Sequence, residues 1–192
     1  MTLVFMLETR RLLLRRFNEN DIEAIYRMRG DAEMMRFIRE PQNRAESVNW
    51  VKLVSSLWEK EKIGFCAVVE KFSGQVIGWC GLWRLKETGE TEVGYAIDKK
   101  FWGRGLASEA AEAFLEYGFN QLNLDKIVAV AFPENSGSRR VMEKIGMHYD
   151  YTGEFYDNYL VHYSITKDKF KQDRQDRQDE AASYPVRPVH SV

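Results

Sequence analysis

The spacing of apolar residues divides the chain into short strands and amphipathic helices as far as about residue 170. Apolar runs bounded by glycine and polar turns predict strands, whereas apolar residues three and four positions apart predict helices. In the first half the predicted elements are a strand over 11–17, a helix from Asn18 or Asn20 to Gly30, a helix over 45–60, and strands over 65–70, 75–85 and 92–97. The last three strands, joined by short turns, are typical of an antiparallel meander.

The second half continues with two helices, a strand between them and a closing hairpin. Its predicted elements are a helix over 105–118, a strand over 125–131, a helix over 135–145, and strands over 148–155 and 159–166. The strand, helix and strand between 92 and 131 predict a parallel pair with a right-handed crossover. We therefore predict an α/β (α+β) fold whose mixed, mostly antiparallel central sheet has about seven strands flanked by four helices.

The composition changes at Lys171, where a polar near-repeat of Gln, Asp and Arg begins and continues to Glu180. This stretch has no apolar stripe, and the remainder to Val192 contains two prolines. We predict one domain over residues 1–170 and a disordered or loosely attached polar tail over residues 171–192. A short polar helix over the repeat is the alternative.

Length, charge and cysteine content exclude several classes of protein. The 192 residues suffice for one domain with a substantial core, and 44% hydrophobic with 30% charged residues is typical of a globular protein. A net charge of −1 does not indicate a general nucleic-acid binder, and no apolar run reaches membrane-spanning length. Cys66 and Cys80 lie in apolar runs and are predicted to be buried hydrophobic residues. Two cysteines do not form a metal-binding framework, so we expect no metal site. We also expect a cytoplasmic protein.

Two glycines one residue apart, Gly103 and Gly105, join the strand ending at Ile97 to the next helix. Glycine permits positive φ and close approach of a ligand, and a helix start presents unpaired N–H groups at the positive end of its dipole. The junction is predicted to bind an anion, most naturally a phosphate; a tight turn with nothing bound is the alternative. It matches neither the P-loop nor the dinucleotide pattern, since Ser108 stands where the latter needs glycine or alanine.

Two motifs carry a resemblance to a known family. Residues 100–105, Lys-Phe-Trp-Gly-Arg-Gly, are similar to the Arg/Gln-x-x-Gly-x-Gly/Ala pyrophosphate loop of the GNAT N-acetyltransferases, with Lys100 in place of Arg or Gln. Residues 135–147 resemble the Asn-x-x-Ser-Arg-x-x-x-Glu-Lys-x-Gly-Phe signature of the ribosomal-protein N-terminal (RimJ/RimL-like) acetyltransferase branch, with Met147 in place of Phe. The opening stretch from Glu8 to Leu12 also resembles that branch.

The resemblance covers roughly residues 8–170 and implies the GNAT fold and an acetyl-CoA-dependent N-acetyltransferase. The implied reaction transfers an acetyl group to a primary amine, on a protein N-terminus or a small molecule, by direct attack. A non-catalytic acyl-CoA-binding or regulatory protein on the same fold is the alternative. The expected partners are acetyl-CoA and the acceptor amine, without membrane or direct nucleic-acid contact, in a monomer or homodimer.

Acetyl transfer needs a proton acceptor, because an α-amine with a pKa of about 8 or a lysine with a pKa of about 10.4 is largely protonated at neutral pH. Glu92 is our candidate, directly or through water, because it lies near where relatives hold the acyl group; an exposed or salt-bridged glutamate is the alternative. The donor to the leaving thiolate stays open. Met142 stands where some relatives have a tyrosine, so water or a side chain such as Ser138, Tyr149 or Tyr151 remains as the donor.

The resemblance also implies which residues bind the cofactor. Backbone groups of Tyr95 and Ile97 would pair with the pantetheine arm as an added strand. The pyrophosphate would lie on the backbone amides of Gly103, Arg104, Gly105, Leu106, Ala107 and Ser108. Asn135 and Ser138 would hydrogen-bond the pantetheine arm, and Asn135 is also suited to cap a helix. The Arg104 and Arg139 side chains are candidates for phosphate contacts, with solvated surface arginines as the alternative.

The acceptor amine is expected between the first two helices and the closing hairpin. Five aromatic residues are candidates to line that site, with ordinary core packing favoured for any single one: Phe37, Trp50, Trp83, Tyr156 and Tyr159. Glu109 is not a candidate base. It lies in the first turn of the helix after the glycines, where a carboxylate favours the dipole but would repel a bound pyrophosphate.

Overall fold

The computed structural model describes residues 6–183 of the chain. Eight strands in this range form one sheet: β1 Met6–Glu8, β2 Leu12–Arg15, β3 Gly64–Glu70, β4 Val76–Arg84, β5 Thr91–Ile97, β6 Lys126–Ala131, β7 His148–Phe155 and β8 Asn158–Thr166. The six α-helices of the same range are α1 Ile22–Arg29, α2 Ala32–Met35, α3 Arg44–Glu61, α4 Leu106–Asn120, α5 Ser136–Lys144 and α6 Lys167–Ser183. The predicted mixed α/β fold is confirmed, with one strand more than the seven expected.

The strands lie in the order β1-β2-β3-β4-β5-β6-β8-β7, and every neighbouring pair except β5 and β6 is antiparallel. The predicted parallel pair is thus confirmed, and α4 is its crossover helix. β5 and β6 share a single register pair, Glu92 with Val128. Beyond Glu92 the end of β5 therefore has no strand partner on the β6 side within the described residues.

Helices cover both faces of the sheet. Successive strand residues point to opposite faces, so one strand contributes side chains to both layers. Val93 packs in the cluster that includes Phe114 of α4, whereas Ala96 packs in the cluster that α1 and α3 cover. Cys66 and Cys80 face each other across β3 and β4, both fully buried as predicted. Within residues 6–183 no helix is long and apolar enough to cross a membrane.

Two short elements were not predicted. The three-residue β1 pairs with β2 at the edge of the sheet and is largely exposed, so it has no apolar pattern to recognise. α2 is a single turn capped by Asp31, whose side chain accepts a hydrogen bond from the Met34 N–H at 3.0 Å. Elements of three or four residues are too short for periodicity to identify.

α6 occupies most of the predicted disordered tail. It extends to Ser183, so over residues 171–183 the structure has the polar helix that was the alternative; residues 184–192 lie outside the described range. The start of α6 is anchored by Phe170, which is 2% exposed and whose ring lies 5.2 Å from that of Phe119 in α4. The domain boundary at residue 170 stays a prediction.

Further along α6, two ion pairs join it to α4. Arg174 pairs with Glu116 at 2.7 Å, and Arg177 pairs with Glu112 at 2.9 Å. The sequence pattern missed this docking because ion pairs leave no apolar stripe.

We expect Phe170, rather than the polar length of α6, to hold this end of the chain. Phe170→Ala leaves a cavity against Phe119 and should lower the free energy of unfolding by about 3–5 kcal/mol. Deleting residues 171–192 removes solvent-exposed ion pairs and should cost only about 1–2 kcal/mol. Denaturant unfolding measures both variants. A truncation that costs more than Phe170→Ala would show that the polar contacts dominate.

Candidate active site

A cleft of about 700 Å³ lies where β5 and β6 separate. Its walls come from α2 and the residues after it, the end of β5, the glycine loop and α5. Predicted site residues that line it are Phe37, Tyr95, Ile97, Gly103, Gly105, Leu106, Ala107, Ser108, Asn135 and Ser138. Within residues 6–183 no three His, Cys, Asp or Glu side chains are grouped to hold a metal ion.

The glycine loop forms one wall of the cleft. Gly103 and Gly105 have φ angles of +74° and +73°, the left-handed region that residues with side chains rarely adopt. Gly105 is the N-cap of α4 and makes no side-chain cap hydrogen bond. The first N–H groups of the helix therefore face the cleft without a capping side chain, which is the arrangement that binds phosphate.

The end of β5 presents a free backbone edge to the cleft. The Asp98 N–H pairs with the Ile77 carbonyl of β4 at 2.7 Å, so alternation directs the backbone groups of Tyr95 and Ile97 to the open side. The Ile97 carbonyl accepts a hydrogen bond from Trp102 Nε1 at 2.6 Å. An extended ligand would thus find its free partners at Tyr95 and at the Ile97 N–H.

Tyr95 and Ser138 join β5 to α5 across the cleft. The Tyr95 hydroxyl donates to the Ser138 carbonyl at 3.0 Å and lies 3.1 Å from Ser138 Oγ. Burial raises the pKa of the Tyr95 phenol above its ordinary value, so it stays protonated. Asn135 caps α5, its Oδ1 accepting from the Ser138 N–H at 3.1 Å, and also lines the cleft.

Two predicted phosphate ligands do not enter the cleft. The Arg104 side chain pairs with Glu70 at 2.8 Å, and Arg139 donates to the Tyr163 hydroxyl at 3.3 Å. The cations that line the cleft are instead these: Arg36, Arg140 and Lys144. Neighbouring residues of a helix point about 100° apart, so Arg140 of α5 lines the cleft although the adjacent Arg139 does not.

Glu92 is buried at the point where the two strands separate. It is 9% exposed, and its Oε2 accepts a hydrogen bond from the Tyr156 hydroxyl at 2.6 Å. Burial raises its pKa to about 7, against the opposing hydrogen bonds from Tyr156 and the Val130 backbone. A carboxyl with this pKa is partly ionised at neutral pH, as a general base requires.

Glu92 does not itself line the cleft, whose β5 residues begin at Tyr95. Three residues of strand span about 10 Å, so a proton would travel from the cleft to Glu92 through water or a side chain. This geometry fits the indirect form of the predicted base.

Tyr156 reaches Glu92 from the β7–β8 turn. Tyr156 and Asp157 have φ angles of +51° and +58°, a left-handed pair that closes the hairpin tightly. The Tyr156 N–H donates to Glu87 Oε1 at 2.8 Å, which ties the hairpin tip to the β4–β5 turn. Burial, together with the neighbouring Glu92, raises the pKa of the Tyr156 hydroxyl, so it remains a donor.

The other aromatic candidates divide between the site and the core. Phe37 lines the cleft, and Trp83 is the β4 register partner of Glu92. Trp50 instead packs in the core, with its ring centroid 5.5 Å from that of Phe17, so for Trp50 the alternative of ordinary core packing applies.

Tyr159 also lies away from the site. It is 65% exposed and is adjacent on β8 to the buried Leu160, so alternation directs the two side chains to opposite faces. Of the five aromatic candidates, Trp50 and Tyr159 are therefore not brought to Glu92 or the cleft.

The chain is similar to known proteins at the level of family, sequence and structure. A family model described as an acetyltransferase (GNAT) domain matches residues 11–148. YnaD of Bacillus subtilis, an uncharacterised N-acetyltransferase, is 34% identical over 139 residues, covering 72% of this chain and 80% of that protein. YkkB, an uncharacterised protein of the same organism, is 32% identical over 149 residues, 76% of this chain and 87% of YkkB.

Among solved structures, a GNAT-family acetyltransferase from Bacillus anthracis matches with a TM-score of 0.75 and 27% identity. The match covers 85% of this chain and 99% of that one. The predicted fold is thereby confirmed at the level of its full topology.

The raised pKa of Glu92 has a consequence for stability. Its folded pKa of about 7 exceeds the usual 4.5, so the stability that it contributes below pH 4.5 is lost as pH rises through 7. Glu92→Gln removes this titration and should gain about 2–3 kcal/mol relative to wild type between pH 5 and pH 8. Urea unfolding at both pH values tests this; a constant difference would place the folded pKa near 4.5 instead.

Proposed function

Because this chain belongs to the GNAT acetyltransferase family, as its motifs predicted, we propose that it acetylates an α-amine held near Glu92. Membership makes the chain an N-acetyltransferase and implies acetyl-CoA as donor. The acceptor class, the residue roles and the proton path are our proposal.

Acetyl-CoA fits the cleft in one direction. The uncapped amides at the start of α4 suit its pyrophosphate. The free edge of β5 at Tyr95 suits the amides of the pantetheine arm, which would pair with it like a strand. This order points the acetyl group toward the junction of β5 and β6, where Glu92 lies.

The observation that carries the proposal is the environment of Glu92. It is a buried carboxyl with a pKa of about 7, three residues along β5 from the end of the cleft where the acetyl group would lie. A purely acyl-CoA-binding protein has no need of a carboxyl there, and its burial works against stability.

The reaction forms a bond between the amine nitrogen and the acetyl carbon and breaks the bond from that carbon to sulfur. The amine proton passes through water to Glu92, whose Oε2 is held by Tyr156. The second nitrogen proton, released as the amide forms, reaches the leaving thiolate through the Ser138 hydroxyl, which accepts this proton as it donates its own to sulfur; Ser138 lines the cleft with the Tyr95 hydroxyl beside it. Tyr149 and Tyr151, the other two donors considered, are not among the residues that line the cleft.

Proton-transfer energies favour an α-amine as the acceptor. Moving a proton from an ammonium with a pKa of about 8 to a base near 7 costs about 1.4 kcal/mol, whereas a lysine or polyamine at about 10.4 costs about 4.6 kcal/mol. The resemblance of residues 135–147 to the ribosomal-protein N-terminal branch supports the same choice. Initial rates of thiol release with an unblocked peptide, its N-acetylated lysine-containing form and spermidine decide between the classes.

A peptide with a free N-terminus should give the highest kcat/KM of the three. Equal rates with spermidine would contradict the α-amine assignment. Bound acetyl-CoA without thiol release, across peptides of varied N-terminal residue, would favour the non-catalytic alternative.

We expect Glu92→Gln to lower kcat by about 10²–10⁴-fold, because the amide keeps the Tyr156 hydrogen bond but cannot accept a proton. The wild-type rate should fall below pH 7, where Glu92 becomes protonated. The variant should lose that acidic limb and keep its acetyl-CoA affinity. Glu154→Gln, an exposed glutamate of β7, is the matched control. Wild-type kcat in Glu92→Gln from pH 6 to 9 would overturn the assignment.

A second pair of variants tests the glycine loop. Gly105→Ala and Gly74→Ala both place a side chain at a positive φ, +73° and +68° respectively, so both should lose about 1–2 kcal/mol of stability. Only Gly105 borders the cleft, where the added methyl blocks approach of the pyrophosphate to the α4 amides. Calorimetry should show about tenfold or greater loss of CoA affinity for Gly105→Ala alone. Equal affinities would place the phosphates elsewhere.

A further inference from the structure

Glu109 lies in the first turn of α4, one turn beyond Gly105, where its charge would repel a bound phosphate. Burial opposes its ionisation, but hydrogen bonds from Thr9 and from the backbone and side chain of Arg11 outweigh burial, and its pKa is below the usual range. Glu109 is therefore ionised at neutral pH. Because a carboxylate beside a phosphate site disfavours phosphate binding, Glu109 must have another role there.

Both carboxylate oxygens of Glu109 are used by the turn between β1 and β2. Oε1 accepts from Thr9 Oγ1 at 2.6 Å and from the Arg11 N–H at 2.8 Å. Oε2 accepts from Arg11 Nε at 2.6 Å, across 98 residues of sequence. The carboxylate thus holds one side chain, Arg11, by its backbone and its guanidinium together.

The rest of the Arg11 guanidinium is aimed at the glycine loop. Its Nη1 donates to the Arg104 carbonyl at 2.8 Å. Its Nη2 lies 3.7 Å from the position that a Cβ on Gly105 would occupy, and Lys144 Nζ lies 3.5 Å from the same position. Two cations, from the N-terminal turn and from the end of α5, therefore flank Gly105.

Lys144 lines the cleft and has no carboxylate partner among the side chains described over residues 6–179. Arg11 has Glu109 as its carboxylate partner at Nε and the Arg104 carbonyl at Nη1, which leaves Nη2 toward the loop. A guanidinium fixed at two of its nitrogens is pre-organised for a phosphate oxygen, because little side-chain freedom remains to be lost on binding.

We infer that Arg11 Nη2 and Lys144 Nζ clamp the pyrophosphate on the side away from the α4 amides, and that Glu109 is the positioning residue for Arg11. This rests on the acetyl-CoA site proposed above. Arg11 replaces Arg104 and Arg139, the arginines that sequence indicated for this contact. The alternative is that Glu109 and Arg11 only tie the β1–β2 turn to α4.

The direction in which Glu109→Gln changes CoA affinity separates the two interpretations. Glu109→Gln removes a negative charge beside the phosphate, so a merely structural tie predicts unchanged or tighter CoA binding. A positioning role predicts weaker binding, by about three- to tenfold, because Arg11 is released from the loop. Arg11→Lys keeps the charge but lacks the fork that can hold Glu109 and reach the phosphate together, and it should lose about five- to tenfold.

Calorimetry of CoA with each folded variant, checked by thermal unfolding, measures these changes. S-acetylpantetheine, which lacks the pyrophosphate, should bind every variant as it binds wild type. Arg174→Gln is the matched control, because Arg174 also pairs with a glutamate of α4, Glu116, but does not line the cleft, and the variant should keep its CoA affinity. The clamp should also weaken with salt more in wild type than in Arg11→Lys or in Lys144→Gln.

Failure of this inference differs from failure of the proposed function. Wild type that does not bind CoA overturns both. Wild type that binds CoA while Arg11→Lys and Glu109→Gln bind equally well or better overturns the clamp alone. If Glu109→Gln does not fold, Arg11→Lys and Lys144→Gln decide the matter with the same readout.

Discussion

The site depends on a single constraint: β5 and β6 run parallel and meet at one register pair, Glu92 with Val128, before they separate. β4 and β8 hold the two strands from outside by long antiparallel ladders, so the opening cannot close. A parallel pair needs a crossover, and its helix, α4, must begin close to the end of β5. One topological feature thus supplies a free strand edge and an uncapped helix start that face one cleft, and a buried carboxyl, Glu92, at the apex behind it.

Local surroundings decide which carboxyl at this apex can act as a base. Glu90 and Glu92 lie two residues apart on the same face, but Glu90 pairs with Lys126 at 2.6 Å and its pKa is lowered in spite of partial burial. Among the described side chains no cation pairs with Glu92, which accepts hydrogen bonds from Tyr156 and the Val130 backbone, and burial raises its pKa. The contrast depends on the β7–β8 turn, whose left-handed residues bring the Tyr156 hydroxyl, rather than a cation, to Glu92.

Local signals in the sequence predicted most of the fold. Periodicity located seven strands and four helices, and two glycines located the loop, because these depend on neighbours in the chain. The reciprocal capping box of α3, formed by Asn43 and Glu46 three residues apart, is a local signal that the sequence prediction missed. Contacts across the fold were out of reach: Arg11 with Glu109, the ion pairs of α6, and the direction of Arg139 each depend on where distant elements pack. Glu92 was predicted as the base because acetyl transfer needs a proton acceptor and the resemblance places the acyl group near that part of β5; its role stays a proposal.

Charged groups are separated between the cleft and the strand junction behind it, although the whole chain is nearly neutral, with a net charge of −1. Arg140 and Lys144 line the cleft, whereas Glu87 and Glu92 meet Tyr156 beyond the part of β5 that lines it. A ligand with phosphates at one end would be oriented by this separation before any specific hydrogen bond forms, since fields in a cleft are screened less than at an open surface. An ammonium would be attracted to the carboxylate end in its protonated form. Glu92 is more buried than Glu87, and its pKa of about 7 would let it take the proton.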